Sequence, residues 1–169
     1  NDRQFQSVVW YYRALADMCE QAYDQAITRF KLVLASRLSD SWKQRAFGNL
    51  IESQYGKKDY AQVIVAFKEY RIRYKASRHH EDLVRIAATA LEKSGKSEEA
   101  VDAYEQLSQA YPLTDVSRWA FRRLKDMSES KAESGEPQYI FSASLLTRLG
   151  QNRQTDDWLQ RFLLEKSTE

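Results

Sequence analysis

The sequence predicts an all-α solenoid of stacked helix pairs, and three observations predict it. A bulky apolar residue returns every 37 positions, at Trp10, Phe47, Val84, Phe121 and Trp158; a second series with the same spacing runs through Phe30, Phe67, Tyr104 and Phe141. A fixed period between about 20 and 50 residues marks units that bury an apolar face against their neighbours. The composition, 43% hydrophobic with only 5 Gly and 2 Pro in 169 residues, suits helices and disfavours a turn-rich β-sandwich. Helix-start residues share the period: Asp40, Ser77 and Thr114 each precede a helical pattern, and side-chain oxygens of these types accept an orphan N–H at an N-cap.

Each unit reads as two helices. In the second, Trp42, Ala46, Phe47, Leu50, Ile51 and Tyr55 recur at steps of three and four, which lays one apolar stripe on a helix. Gly56-Lys57-Lys58-Asp59 ends that helix, and Tyr60, Val63, Ile64, Phe67 and Tyr70 carry the next. The third unit repeats the design with Leu83, Ala87, Ala90 and Leu91, a break at Ser94-Gly95-Lys96, then Ala100, Val101, Tyr104 and Leu107; Pro112 follows where the helix should stop. The predicted units are 4–38, 41–75, 78–111 and 115–149 within one repeat domain of residues 1–169, with a capping helix over 152–166 that carries Trp158, Leu159, Phe162 and Leu163. In the fourth unit the polar segment Ser128 to Pro137 predicts a long inter-helix loop, with Pro137 in the first turn of a late second helix.

Composition also bounds function. The 26 basic and 24 acidic side chains nearly cancel, to +2, so bulk attraction to nucleic acid or membrane has no support. No apolar run approaches the ~18–20 residues of a membrane helix. Cys19 is the single cysteine, which excludes an internal disulfide, and the expectation is a small packing residue at a helix end. The polar start at Asn1, without an initiator Met, reads as a piece cut from a longer protein. No phosphate-cradling Gly loop, nucleophile elbow or placeable Ser/His/Asp set is present, so neither an enzyme nor a cofactor is predicted. His79-His80-Glu81-Asp82 does not predict a metal site, because adjacent helix positions point about 100° apart and His ligands favour spacings of three or four.

The unit resembles a tetratricopeptide repeat, in which a large then a small residue in the first helix precede an aromatic, a small residue and another aromatic in the second. Trp10, Ala14, Tyr23, Ala26 and Phe30 follow that order of sizes. Phe47, Ile51, Tyr60, Val63 and Phe67 follow it with larger residues in the small slots, and Val84, Ala88, Gly95, Ala100, Tyr104 and Pro112 follow it again. The family's common period is about 34 residues; the additional residues here fall between units, near Ser36–Asp40, Ala76–Ser77 and Pro112–Thr114. The resemblance implies a right-handed solenoid of about four helix pairs plus the cap, with first helices lining a concave face.

On that geometry the lining residues are Tyr11, Tyr12 and Leu15, then Arg45, Asn49 and Glu52, then Arg85, Ile86 and Thr89, then Trp119, Arg122 and Arg123. Arg45, Arg85 and Arg122 would form a basic ladder, and guanidinium groups grip carboxylates in bidentate fashion. The expected partner is therefore a protein segment, acidic or presenting a chain carboxylate; a solvated face with ordinary charges is the plain alternative. Ala110-Tyr111-Pro112-Leu113-Thr114-Asp115, followed by Arg118-Trp119-Ala120-Phe121, resembles the helical region of soluble lytic murein transglycosylases. That resemblance implies a non-catalytic, peptidoglycan-associated part of a periplasmic protein; the cytoplasm, which the single cysteine also fits, is the alternative compartment. Glu52-Ser53 matches one element of those enzymes' active site, but their Gly-Leu-Met-Gln is absent, so Glu52-Ser53 reads as helix surface. The rival reading is a glycan or nucleic-acid site on the basic stretch Arg71-Ile72-Arg73-Tyr74-Lys75-Ala76-Ser77-Arg78-His79-His80. Against it, Tyr70 and Tyr74 lie on the core period of their helix, and bases at a helix C-terminus complement the dipole.

Overall fold

A computed structural model describes residues 2–74, 80–110 and 114–133. These form seven helices: α1 (Asp2–Cys19), α2 (Tyr23–Ala35), α3 (Asp40–Gly56), α4 (Tyr60–Arg73), α5 (His80–Lys93), α6 (Ser97–Ala110) and α7 (Asp115–Glu133). The chain divides into two compact units, residues 1–103 and the part from Tyr104 onward. In the first, α1 to α5 each pack on the next in sequence, and the first helices also touch one another, α1 with α3 and α3 with α5. No α2–α4 contact accompanies them among the described residues. The arrangement is all-α and sequentially packed, consistent with a helical repeat.

Burial follows the 37-residue register most closely in the second helices. Ala26, Val63 and Ala100 are buried, as are Phe30, Phe67 and Tyr104, and Val33, Tyr70 and Leu107. In the first helices the anticipated small slots Ala14, Ile51 and Ala88 are fully buried, and a further buried line lies one residue before the large anchors. Ala46, Leu83 and Ala120 are buried, with Leu50, Ala87 and Leu124 one turn on. Of the anticipated series Trp10, Phe47, Val84 and Phe121, only Phe47 is buried; the others are half-buried. Trp10, Val84 and Phe121 thus cover the edge of a buried stripe whose centre holds both alanines and leucines. Trp158, Phe141, Pro137, Ser77, Tyr111, Pro112, His79 and the expected capping helix lie outside the described residues.

The turns inside the helix pairs share the period as well. Gln21, Lys58 and Gly95, 37 apart, have φ of 59°, 64° and 78°. Around each, two hydrogen bonds close a Schellman motif: Ala22 N–H to Asp17 O at 2.7 Å and Gln21 N–H to Met18 O at 3.0 Å. Asp59 to Gln54 with Lys58 to Tyr55, both at 2.9 Å, form the second, and Lys96 to Leu91 at 3.0 Å with Gly95 to Glu92 at 3.1 Å the third. Gly56, expected as a breaker, is instead the last residue of α3, and a Cβ there would overlap the Tyr23 ring of α2. It marks a close approach between successive pairs.

Three further expectations are corrected. Helix α3 begins at Asp40 with Ser39 in the cap position and no side-chain cap bond, so Asp40 acts as a first-turn acid toward the helix dipole. The working caps are Asp59, whose carboxylate accepts from Gln62 N–H at 3.3 Å, and Thr114, which accepts from Ser117 N–H at 3.2 Å. Helix α7 continues through Ser128 to Glu133, where a loop was anticipated. Glu, Lys and Ala in that stretch are good helix formers, and no Gly or Pro lies between Pro112 and Gly135. Cys19 is exposed rather than packed.

In the second unit Tyr104 meets Trp119 edge-on, with ring centroids 5.4 Å apart, and buries alongside Leu107, Val116, Ala120 and Leu124.

Candidate functional site

The site grows from one face of α3. Spacings of three and four place Gln44, Arg45, Gly48, Asn49 and Glu52 on neighbouring positions. With Tyr11 of α1, Tyr70 of α4, and Asp82 and Leu83 of α5, they line a pocket of about 400 Å³. Three successive first helices thus contribute, which requires the α1–α3 and α3–α5 contacts described above.

Two amide–phenol hydrogen bonds shape its walls. Asn49 Nδ2 donates to Tyr11 Oη at 3.2 Å, and Gln44 Nε2 donates to Tyr70 Oη at 3.3 Å. Both tyrosines are buried, so each phenol brings a polar tip to the cavity from an apolar body. Tyr11 is fixed by edge-on contacts with Trp42 at 5.1 Å and Phe30 at 6.0 Å. Tyr12, by contrast, is exposed and meets Tyr11 and Trp42 edge-on at 5.6 and 6.2 Å.

The charges are mixed. Arg45 is exposed and makes no ion pair among the described residues. Glu52 lies two turns further along α3, about 10 Å along the helix axis. Asp82 is engaged by Arg85, whose Nη2 lies 3.1 Å from its carboxylate. An exposed pair of this kind contributes about 0–1 kcal/mol, so a ligand can displace it. Thr89 donates to the Arg85 carbonyl at 2.9 Å. Burial is the main cause that raises the Tyr55 phenol above its ordinary 10.0, with Tyr60 and Glu92 adding to it.

Of the residues expected to line a groove, Tyr11, Arg45, Asn49 and Glu52 share this pocket, with Arg85 reaching it through Asp82. Leu15 and Ile86 are half-buried and pack against the core. Trp119, Arg122 and Arg123 belong to the second unit, where Arg122 is exposed and Arg123 pairs with Asp126 at 3.0 Å. Sequence reasoning missed Gln44, Gly48, Tyr70, Asp82 and Leu83. Tyr70 and Leu83 read only as core, and a glycine inside a helix pattern was the one visible signal.

In the basic stretch, the Arg71 guanidinium sits over Phe67 at 6.0 Å and that of Arg73 over Tyr74 at 5.5 Å. Tyr70 is buried, and Tyr74 lies 5.2 Å from it and edge-on to Phe47 at 6.4 Å. The aromatics are committed to the core. Among the described residues no cluster of His, Cys, Asp and Glu could hold a metal, and no helix is long and apolar enough to cross a membrane. Comparison with protein-family models and with curated proteins finds no match.

Proposed function

We propose that this chain is a protein-interaction or scaffolding module. In this reading it is a right-handed, tetratricopeptide-like solenoid whose first helices line a concave face that holds a protein segment, acidic or ending in a carboxylate. The observation that carries the reading is the pocket built from α1, α3 and α5 together. Direct contacts between first helices, without a matching α2–α4 contact, are what curvature toward the first-helix side requires. Amide side chains at the pocket, each offering a donor and an acceptor, suit the main chain of an extended peptide. Arg45 supplies the cation for a carboxylate.

The wider setting proposed from the sequence resemblance is the non-catalytic helical part of a periplasmic peptidoglycan lytic transglycosylase or a related envelope protein. The stretch from Arg71 is the weaker site for glycan or nucleic acid, because stacking on bases or sugars needs open aromatic faces and these face the core.

The test is fluorescence anisotropy with a labelled hexapeptide ending in Asp-Glu. Arg45→Glu should weaken binding at least about tenfold, the scale of a charge-assisted hydrogen bond of about 1.5–3 kcal/mol. Arg73→Glu should leave it unchanged. The opposite pattern would transfer the function to the basic stretch.

A further inference from the structure

One wall of the pocket is a repeated slot that lacks a side chain. Gly48 stands in register with Tyr11, Arg85 and Arg122, each 37 residues from the next. Every other described helix pair fills this slot with a long side chain. The second pair leaves it empty, and the vacancy forms part of the wall of the 400 Å³ pocket.

Local structure does not demand a glycine there. Gly48 lies inside α3, between Asp40 and Gly56, with no left-handed φ. An added Cβ would meet only Leu83 Cδ1, at 3.6 Å, an ordinary contact. A glycine in a helix interior destabilises it relative to alanine. The helix therefore gives up stability at a position where a side chain would narrow the cavity. Gly56 is the contrast within the same helix, since there the Tyr23 ring explains the glycine.

The surroundings define what can enter. Arg45 lies one turn before Gly48, Asn49 sits beside it, and the Tyr11 and Tyr70 phenols stand on the neighbouring helices. Asn49 uses one N–H on Tyr11 and keeps its carbonyl and second N–H. A bare helix backbone flanked by an amide admits a flat, unbranched group at van der Waals distance.

We propose that Gly48 is the size-determining floor of the binding pocket, and that the ligand lays an unbranched stretch of peptide main chain across it with its carboxylate at Arg45. This deepens the reading of the pocket as a peptide site and rests on it.

The test uses the full chain and two small probes, N-acetyl-glycyl-aspartate and its uncharged N-acetyl-glycyl-asparagine counterpart, followed by amide chemical shifts in nuclear magnetic resonance titrations. Wild type should bind the acidic probe in preference, and Arg45→Ala should abolish the preference. Gly48→Ala and Gly48→Met should weaken binding progressively, by about tenfold or more for Met, the scale of inserting a side chain into a filled space. Melting temperature should be unchanged or higher for Gly48→Ala, separating a blocked floor from a damaged fold. Wild-type affinity in Gly48→Met, with Arg45→Ala still impaired, overturns the floor and leaves the peptide site standing. Failure of wild type to bind either probe overturns both.

Discussion

Lys58→Gly and Gly95→Ala should change stability in opposite directions, each against the sign that helix propensity predicts. Both residues occupy the left-handed region, with φ of 64° and 78°. For a residue with a Cβ that conformation costs roughly 1–2 kcal/mol. Glycine returns part of the gain through its larger unfolded-state freedom, about 0.5–1 kcal/mol. The net is a stabilisation of about 0.5–1 kcal/mol for Lys58→Gly and an equal loss for Gly95→Ala. Packing does not enter at Gly95, because an added Cβ meets nothing within 4 Å. For a chain of this length the shifts correspond to about 1–4 °C in melting temperature. Thermal melts followed by far-ultraviolet circular dichroism resolve this, and the double variant should return close to wild type. If Gly95→Ala raised the melting temperature, as propensity alone would have it by up to about 1 kcal/mol, the Schellman assignment would fall.

Gly56→Ala should cost about 1–3 kcal/mol by overpacking against the Tyr23 ring, with Tyr23→Leu recovering part of the loss; additive melting shifts in that double-mutant cycle would dissolve the contact. Phe30→Ala, at a fully buried position, should cost about 3–5 kcal/mol in chemical denaturation, and a loss below about 1 kcal/mol would contradict its place in the core. Tyr55 and Tyr74 have phenols raised above 10.0, in both cases chiefly by burial. A raised folded pKa contributes stability that is complete below pH 10 and lost as pH climbs through the folded values. Alkaline melts should therefore fall more steeply above pH 10 in wild type than in Tyr55→Phe/Tyr74→Phe.

Second helices were readable to the residue because their buried positions are large and apolar: Phe30, Phe67 and Tyr104 announce themselves by size. In the first helices the small slots Ala14, Ile51 and Ala88 and the anchor Phe47 were legible, whereas Trp10, Val84 and Phe121 are half-buried beside a line that includes Ala46 and Ala120, which carry little hydropathy signal. The Schellman turns were invisible at Gln21 and Lys58, where side chains occupy a conformation that glycine would advertise. Helix α7 outran its expected end because polar residues with good helical propensity look like a loop when only hydropathy is read. Tyr11, Arg45, Asn49 and Glu52, four of the nine lining residues, were legible from one face of α3 and its register mates. The remainder came from Gln44, Asp82 and Leu83, from Gly48, a residue with no side chain to point to, and from Tyr70, whose ring belongs to the core while its hydroxyl reaches the cavity.

In residues 1–103 the packed helices are one element apart in sequence, or two apart for α1 with α3 and α3 with α5, and none further among the described residues. Such a chain never waits for distant segments to find each other. Its loops to be closed are short, the entropy of closing them is small, and collapse should proceed from whichever hairpin forms first, at the rapid end of the range for domains of this size.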